Sequence, residues 1–209
     1  ISMKIQRQEC YVLWELHYYN VQVIQMGKDW IGNSKTTFVQ LGASSHSNID
    51  REENDFYSTD PETLKIFLNA LDRDNIKLHN DIWECACGKG HLSKVLIEKG
   101  YSVLSSDKVN RGYGKKVDFL EVVPLDYEYD ILTNPPYKYA YEFVNHSLDV
   151  IKDDYYVIML LKIQFLEGQK RKELFEKNPT KFVYVNSKRQ TCYINGDMSK
   201  KMSSASCYC

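Results

Sequence analysis

The residues of greatest chemical interest in this 209-residue sequence are Asn134-Pro135-Pro136-Tyr137, which follow the β-prone stretch 131–133. Two consecutive prolines lack a backbone donor, fix φ and push the residue before them out of the helical region. Asn134 and Pro135 are therefore held in a stiff turn at the end of a predicted strand. There, an Asn side-chain oxygen and a backbone carbonyl can accept the two N–H groups of a planar amine. They stabilise the positive charge that develops when this poor nucleophile attacks a methyl group.

Tyr137 adds an aromatic face on which a planar base taken out of a duplex can stack. The alternative is a plain strand-to-loop turn, because Asn-Pro and Pro-Pro dipeptides commonly mark loops. A motif of four residues acquires meaning only from its structural context. The elements around it must therefore decide between the two interpretations.

A glycine-rich turn, residues 85–90, joins a predicted strand over 81–84 to a predicted helix that runs from residue 91 to about residue 99. Gly88 and Gly90 allow the backbone to turn tightly and a ligand to approach closely. The N–H groups at the start of the helix point into the same space. This is the front half of a βαβ unit with a ligand site at the turn.

The residues that follow support a ligand that carries adenosine. The next predicted strand, 101–106, ends at Asp107, about 20 residues after the turn, where an acidic residue usually binds a ribose diol. Asp118 and Phe119 come next, suited to hold an adenine by a hydrogen bond to its amino group and by ring contact. Four separate pieces of sequence thus converge on one ligand.

The rest of the chain alternates helices and strands, which predicts an α/β fold with a parallel sheet. A helix with a cap near residue 60 is predicted over 61–72. Further predicted elements are strand 129–133, helix 139–151, strand 155–161, helix 169–177, strand 182–185, a turn at Asn195-Gly196 and the start of a last strand at 203. We expect an N-terminal extension over 1–25, a loop-rich lead-in over 26–54, and the main domain over 55–209.

Composition and charge limit the class of protein. The longest apolar run, 155–161, is far shorter than the roughly 20 residues that span a bilayer, so no membrane partner is expected. The six cysteines do not form a disulfide framework, which favours reduced thiols and a cytoplasmic location. The pairs Cys85/Cys87 and Cys207/Cys209 are spaced more closely than most zinc ligands, and no metal site is predicted.

Positive charge is concentrated in the last quarter of the chain. Between Lys162 and Lys201 there are ten Lys and Arg residues against four acidic ones, a local balance of +6 in a chain of net charge −1. This segment either contacts phosphate or is an ordinary solvated surface. The candidate DNA-binding residues are Lys138, Lys170, Arg171, Lys172, Lys188 and Arg189.

Four segments, taken in order, resemble class I S-adenosylmethionine-dependent DNA adenine-N6 methyltransferases: residues 55–61, 84–92, 118–119 and 134–140. The greatest likeness is to the small phage-type enzymes of phages and mobile elements, and it extends from about residue 26 to the C-terminus. It implies a Rossmann-like, doubly wound, mostly parallel sheet with helices on both faces. It also implies S-adenosylmethionine as cofactor, double-stranded DNA with a flipped adenine as partner, and a prokaryotic or phage-infected cell as location.

The resemblance assigns a role to each motif. By it, the cofactor-binding residues are Tyr57, Thr59, Glu84, Ala86, Cys87, Gly88, Gly90, Asp107, Asp118, Phe119 and Asn134, and the catalytic residues are Asn134, Pro135, Pro136 and Tyr137. His91 is a helix-start residue and not a base, because methyl transfer from a sulfonium needs no strong base. Similar proteins continue beyond Cys209 through an aromatic-rich strand, so we expect an incomplete edge of the sheet.

Two other functions remain open at this stage. A release-factor glutamine methyltransferase shares the Asn-Pro-Pro-Tyr motif, but its relatives carry a sizeable helical domain before the cofactor turn. Here only about 50 residues precede it, without helical periodicity. The other alternative is a cofactor-binding or DNA-binding remnant without activity. The oligomeric state and the recognised DNA sequence are not encoded in any motif of the chain.

Overall fold

The computed structural model describes residues 10–12, 57–186, 190–194, 201–204 and 206–209. The strands are β1 Cys10–Val12, β2 Tyr57–Thr59, β3 Asp81–Glu84, β4 Ser102–Asp107, β5 Lys115–Lys116, β6 Asp130–Thr133, β7 Val157–Lys162, β8 Tyr184–Asn186, β9 Gln190–Ile194, β10 Lys201–Ser204 and β11 Ser206–Tyr208. The helices are α1 Pro61–Arg73, α2 His91–Glu98, α3 Ala140–Val150 and α4 Lys172–Lys177. Short 3₁₀ turns cover Phe119–Glu121, Tyr137–Tyr139, Ile163–Leu166 and Gln169–Arg171.

The main sheet has the strand order β1-β8-β11-β7-β6-β3-β4-β5. Strands β3 to β7 pair in parallel, whereas β11 is antiparallel to both β7 and β8. The chain order reverses at β3, which has β4 on one side and β6 on the other. Open α/β sheets bind ligands at such a switch point, outside the carboxyl ends of the strands. The predicted Rossmann-like, mostly parallel fold is confirmed.

Alternate residues of the central strands bury opposite faces of the sheet. Ile82 and Leu132 pack with α1 and α2 on one face. Trp83 and Ile131 pack with Phe119 and α3 on the other. Strands that are buried on both sides read as continuous apolar runs, as these do. The helices on both faces therefore fix the position and direction of β3 and β6. The glycine turn follows β3, and the Asn-Pro-Pro-Tyr motif follows β6.

A second, smaller sheet of order β10-β9-β2 is antiparallel throughout. It was not predicted from the sequence. The predicted turn at Asn195-Gly196 lies outside the described residues, but β9 and β10 on either side of it do pair with each other. Through β2 this sheet extends to Thr59, directly before the helix cap at Asp60, whose side chain accepts a hydrogen bond from the Glu62 amide at 3.0 Å.

The structure bears on three expectations. The last described strand, β11, lies inside the main sheet between β7 and β8, and the expected incomplete edge stays a prediction. The predicted helix 169–177 is shorter: residues 169–171 form a 3₁₀ turn and only Lys172–Lys177 is α-helical. Within the predicted extension, Cys10–Val12 pairs with β8, and the boundaries of the extension and the lead-in stay predictions. None of the helices in the described part of the chain has the length and apolarity needed to cross a bilayer.

Candidate active site

A cavity of about 390 Å³ opens at the carboxyl ends of β3, β4 and β6 and is lined by residues from every predicted motif. The predicted site residues in its wall are Thr59, Glu84, Ala86, Cys87, Asp107, Asp118, Phe119, Asn134, Pro135, Pro136 and Tyr137. Ser58, His91, Lys108 and Arg111 also line it, although none of the four was predicted as a site residue. The fold therefore brings together segments that are far apart in the chain, from Ser58 to Phe143.

The side chain of Asn134 is oriented by the smaller sheet. Its Nδ2 donates a hydrogen bond to Thr59 Oγ1 at 2.8 Å, and Thr59 is 3% exposed. Because Thr59 holds the NH₂ end of the amide, the oxygen end is the one that can accept a hydrogen bond from a substrate. Pro135 is buried beside it. The amide of Asn134 is thus held by a contact outside the motif, and Pro135 is held by burial.

Tyr137 begins a 3₁₀ turn directly after the prolines and lines the cavity. Lys162, the last residue of β7, carries its Nζ 5.0 Å from the centre of the Tyr137 ring. Lys138 lies similarly over Tyr139, at 5.2 Å, and Tyr139 is 44% exposed. The mouth of the cavity therefore combines aromatic rings with lysines. Lys162 was missed as a site residue, because only the parallel pairing of β6 and β7 brings it next to Tyr137.

The glycine turn follows β3 as predicted. The Cys87 amide donates to the Ser106 carbonyl at 2.9 Å, and the Gly90 amide to the Cys87 carbonyl at 2.7 Å. Gly90 has φ of 74°, in the left-handed region, and a Cβ there would overlap the ring of Tyr113. Gly88 and Gly90 do not line the cavity themselves. They shape the turn, and the Gly88 amide donates to Asp107 Oδ2 at 2.9 Å.

Asp107 and Asp118, the predicted adenosine contacts, both line the cavity and both carry bonds within the protein. Asp107 Oδ1 accepts from the Val109 amide and from Arg111 Nη1, each at 2.8 Å. Asp118 forms an ion pair with Lys108 at 2.6 Å. Phe119 is 1% exposed and packs edge-on against Trp83, with ring centres 5.2 Å apart. It is thus part of the core as well as of the cavity wall.

Glu84 ends β3 and is 2% exposed. Ser93 in α2 donates a hydrogen bond to its carboxyl group and also bonds Ser105 at 2.7 Å. Burial raises the pKa of Glu84 to about 8, although the bond from Ser93 acts in the opposite direction. The carboxyl group is therefore largely protonated near neutral pH and can donate as well as accept a hydrogen bond.

His91, expected only as a helix-start residue, forms a hydrogen bond through Nδ1 with the hydroxyl of Ser58. Burial lowers its pKa, as do the nearby cations Lys94 and Lys89. The imidazole is neutral at physiological pH, so it offers a polar contact to a ligand and carries no charge. The neighbouring position of Ser58 and Thr59 on β2 is the sequence feature that links it to the site.

The predicted nucleic-acid contacts are only partly described. Arg171 turns into its own loop: it donates to the carbonyls of Gln164, at 2.9 Å, and Glu167, and lies 4.9 Å from the Phe165 ring. Lys172 is exposed and pairs with Glu176 at 3.5 Å. The side chain of Lys170 and both Lys188 and Arg189 lie outside the described residues, as does the side chain of Tyr57.

Metal ligands do not cluster in the described parts of the chain: no group of three His, Cys, Asp or Glu side chains there could hold an ion. The sulfur atoms of Cys207 and Cys209 are 3.3 Å apart. Cys85 and Cys87 are buried at the start of the glycine turn. The two pairs do not form a joint site.

Comparison with known proteins identifies the fold. No protein-family model matches the sequence, and no curated protein matches it. Among solved structures, a proposed RNA methyltransferase from Pyrococcus horikoshii is 12% identical, with a TM-score of 0.51 over 84% of this chain and 96% of that one. The 23S rRNA methyltransferase ErmE is 14% identical, with a TM-score of 0.48 over 73% and 68%. Magnesium protoporphyrin IX methyltransferase from Synechocystis PCC 6803, with bound SAH, is 13% identical, with a TM-score of 0.43 over 84% and 92%.

At this level of identity the first comparison establishes the fold and not the substrate. Together with the strand order, it shows that the chain has the Rossmann-like fold of class I methyltransferases.

The glycine turn generates a first prediction. Gly90→Ala should destabilise the protein by about 2 kcal/mol more than Gly100→Ala, because both positions have positive φ but only a Cβ at residue 90 meets a ring. Urea unfolding of both variants measures the difference. Adding Tyr113→Ala to Gly90→Ala should recover most of it. Equal destabilisation of the two single variants would show that Tyr113 does not lie against the turn.

The buried carboxyl group of Glu84 generates a second prediction. The pKa of this group is 4.5 in the absence of burial and about 8 in the fold, so between these pH values the folded protein holds one proton more than the unfolded chain. Stability should therefore fall as the pH rises from about 5 to about 8, by at most about 1.4 kcal/mol per pH unit from this group. In Glu84→Gln this contribution disappears.

Urea unfolding at several pH values tests this. Glu84→Gln should gain stability over the parent protein steadily from about pH 5 to about pH 8. Glu98→Gln, at the exposed end of α2, reports how much the loss of any surface carboxyl group changes the slope. Parallel curves for the parent and Glu84→Gln would contradict the raised pKa.

Proposed function

We propose that this protein is an S-adenosylmethionine-dependent methyltransferase that acts on the exocyclic N6 amine of adenine in DNA. The observation that carries the proposal is a single cavity shared by two groups of residues. Asn134, Pro135 and Tyr137, suited to a planar amine, line the same space as Asp107 and Asp118, suited to an adenosine. A cavity of about 390 Å³ is in the range of sites for small ligands and cofactors.

The residues present fit the proposed cofactor. Asp107 stands at the carboxyl end of β4, next to the switch point, where a carboxylate can accept from a ribose diol. Asp118 lies before Phe119 at the cavity wall and can accept from an adenine amino group. Glu84, largely protonated, lies at the end of β3 beside the glycine turn. Bound S-adenosylmethionine supplies an electrophilic methyl group on a sulfonium.

The chain's own residues then act on the target amine. The amide oxygen of Asn134 and the carbonyl oxygen of Pro135 each accept one N–H of the amine, which draws its nitrogen toward tetrahedral geometry. The developing positive charge is stabilised where it forms, by two acceptors that are already in place. Transfer of the methyl group to this nitrogen would form the N–C bond and cleave the C–S bond of the sulfonium, and the methylated nitrogen would then lose one proton to water. No strong base is required, in agreement with a neutral His91.

The mouth of the cavity supports a nucleic acid as substrate. The rings of Tyr137 and Tyr139 offer faces for stacking, and Lys162 and Lys138 lie beside them. Aromatic rings interleaved with cations suit a base that has left its stack and the phosphates on either side of it. A glutamine side chain of a protein substrate could donate to the two acceptors equally well. It has no aromatic face, however, and would gain little from stacking on these rings.

The experiment that tests the proposal is a methyl-transfer assay with labelled S-adenosylmethionine and three separate acceptors: DNA, RNA and a release factor. RNA is included because the Pyrococcus horikoshii protein is described as a proposed RNA methyltransferase. Nuclease digestion and mass spectrometry then identify the modified base. We expect N6-methyladenine in DNA. Label only in RNA, on glutamine, or on N4 of cytosine would redirect the substrate, and no transfer with retained binding would indicate the inactive remnant.

The role of Asn134 gives a third prediction. Asn134→Ala should lower the rate of methyl transfer by about a hundredfold or more, since removing one acceptor for a developing charge costs on the order of 3 kcal/mol. Calorimetric titration should show nearly unchanged affinity for S-adenosylmethionine. Asn145→Ala is the matched control, because that amide bonds only the Tyr141 carbonyl on an exposed part of α3 among the contacts described. Near-parental turnover in Asn134→Ala would refute the proposed mechanism.

The basic segment, residues 162–201, gives a fourth prediction. Arg171 is engaged within its loop, so the test replaces Lys170 and Lys172 by Gln and leaves Arg171 intact. If both lysines contact phosphate, DNA affinity should weaken similarly for all sequences. The log–log salt slope of binding should then fall by about one unit for each phosphate that a lysine no longer neutralises.

A control for this test lies at the opposite end of the strands, near their amino ends. Lys152→Gln removes an exposed lysine that pairs with Glu128, near the amino end of β6. This variant should retain the parental salt slope. A slope that is also unchanged in the Lys170/Lys172 variant means that this segment is only a solvated helix surface.

A further inference from the structure

The loop of residues 108–114, which follows β4, lies on the cofactor side of the cavity. Its side chains contact three residues of the proposed adenosine site. Arg111 pairs with Asp107 at 2.8 Å, and Lys108 pairs with Asp118 at 2.6 Å. The ring of Tyr113 covers Gly90. No part of the proposed chemistry uses these three contacts, yet both ion pairs belong to the cavity wall where the cofactor is expected to bind.

The bonds of Asp107 leave little capacity for a ligand. A carboxylate offers about four lone-pair sites. Donors within the described residues already use three: the Gly88 amide on Oδ2, and the Val109 amide and Arg111 Nη1 on Oδ1. A ribose diol donates two hydrogen bonds when a carboxylate binds both of its hydroxyls. One of the three donors must therefore leave before the ribose can bind in this way.

Arg111 is the donor that can leave. The Gly88 amide belongs to the turn between β3 and α2, which is tied to β4 by the bond from Cys87 to Ser106. The Val109 amide is two residues from Asp107 on the same backbone. Arg111 reaches the carboxylate through a long side chain with several rotatable bonds. Moving it gives up a long contact of 3.5 Å between Nη1 and the Val109 carbonyl, but it does not require the backbone to move. Its side chain is 14% exposed, at the edge of the cavity.

We propose that Arg111 determines the affinity of the cofactor site by competing with the ribose for Asp107. This inference rests on the proposed function in one respect, the adenosine part of the cofactor. In the free protein the guanidinium occupies the ribose-binding carboxylate, and the ligand binds by displacing it. Lys108 competes in the same manner for Asp118, but more weakly, because its side chain is 74% exposed and solvent screens the pair.

The competition predicts a gain of affinity on removal of a charged residue. When only a fraction of the protein is competent to bind, the apparent dissociation constant rises by the inverse of that fraction. Arg111→Met should therefore bind S-adenosylmethionine about five- to tenfold more tightly than the parent, measured by calorimetric titration. Lys108→Met should gain about twofold at most. Arg73→Met, which breaks the Arg73–Asp74 pair outside the cavity, is the control and should leave the affinity unchanged.

A pair of neutral probes separates competition from a general change in the site. Adenosine carries the ribose diol and 2′,3′-dideoxyadenosine does not. In Arg111→Met the affinity for adenosine should rise about fivefold, whereas that for dideoxyadenosine should stay as in the parent. An equal change for both nucleosides, or no gain for adenosine, would overturn the proposal. If Arg111 merely supported the loop, its removal would weaken both.

The parent protein provides a test that needs no variant. Because adenosine is uncharged, salt acts on its binding chiefly through the two ion pairs of the loop, Arg111–Asp107 and Lys108–Asp118. Raising the salt concentration from about 0.05 to about 0.5 M should strengthen adenosine binding by about twofold at most, since screening weakens both competitors but acts less on the largely buried Arg111–Asp107 pair. Unchanged or weaker binding would count against the competition. If neither nucleoside nor S-adenosylmethionine binds the parent or Arg111→Met, the proposed cofactor is wrong as well; binding without the predicted gains refutes only the role of Arg111.

Discussion

The hydrogen bond from Asn134 to Thr59 joins the two sheets of the protein at the cavity. Asn134 follows the central strand β6, and Thr59 ends β2, which belongs to the smaller sheet. This bond sets which end of the amide faces Thr59, and the amide oxygen lies at the other end. The smaller sheet, far from being an accessory to the fold, therefore supplies the contact that orients the proposed catalytic residue.

The carboxyl groups of the cavity are kept in different states by their surroundings. Glu84 is buried, receives a hydrogen bond from Ser93, and holds its proton near neutral pH because burial raises its pKa. Asp107 and Asp118 face cations of one loop. Three carboxylates in one small cavity would repel one another if all were charged and unpaired. Protonation of one and ion pairing of the other two reduce this repulsion in the free protein.

Much of this arrangement was predictable because its signals are local. The stop at Pro135, the turn at Gly88 and the acidic end of β4 at Asp107 each follow from backbone chemistry within a few residues. The smaller sheet was not predictable, since β2 has three residues and its partner β9 lies more than 130 residues later. Ion pairs between side chains, such as that of Arg111 with Asp107, could not be predicted either. A long charged side chain leaves no periodic pattern, and only the folded loop determines which carboxylate it reaches.

The two sides of the cavity differ in how firmly they are built. On the proposed target side, Pro135 is buried and Thr59 fixes the amide, so the acceptors need no rearrangement when charge develops; such preorganisation is what lowers a barrier. On the proposed cofactor side, Asp107 is held by a displaceable arginine and Gly90 is covered by a tyrosine from the same loop. An adjustable contact there changes only how tightly a ligand binds. The rigid contacts are thus those that would stabilise the transition state, and the displaceable contact of Arg111 is one that affects only the binding of the cofactor.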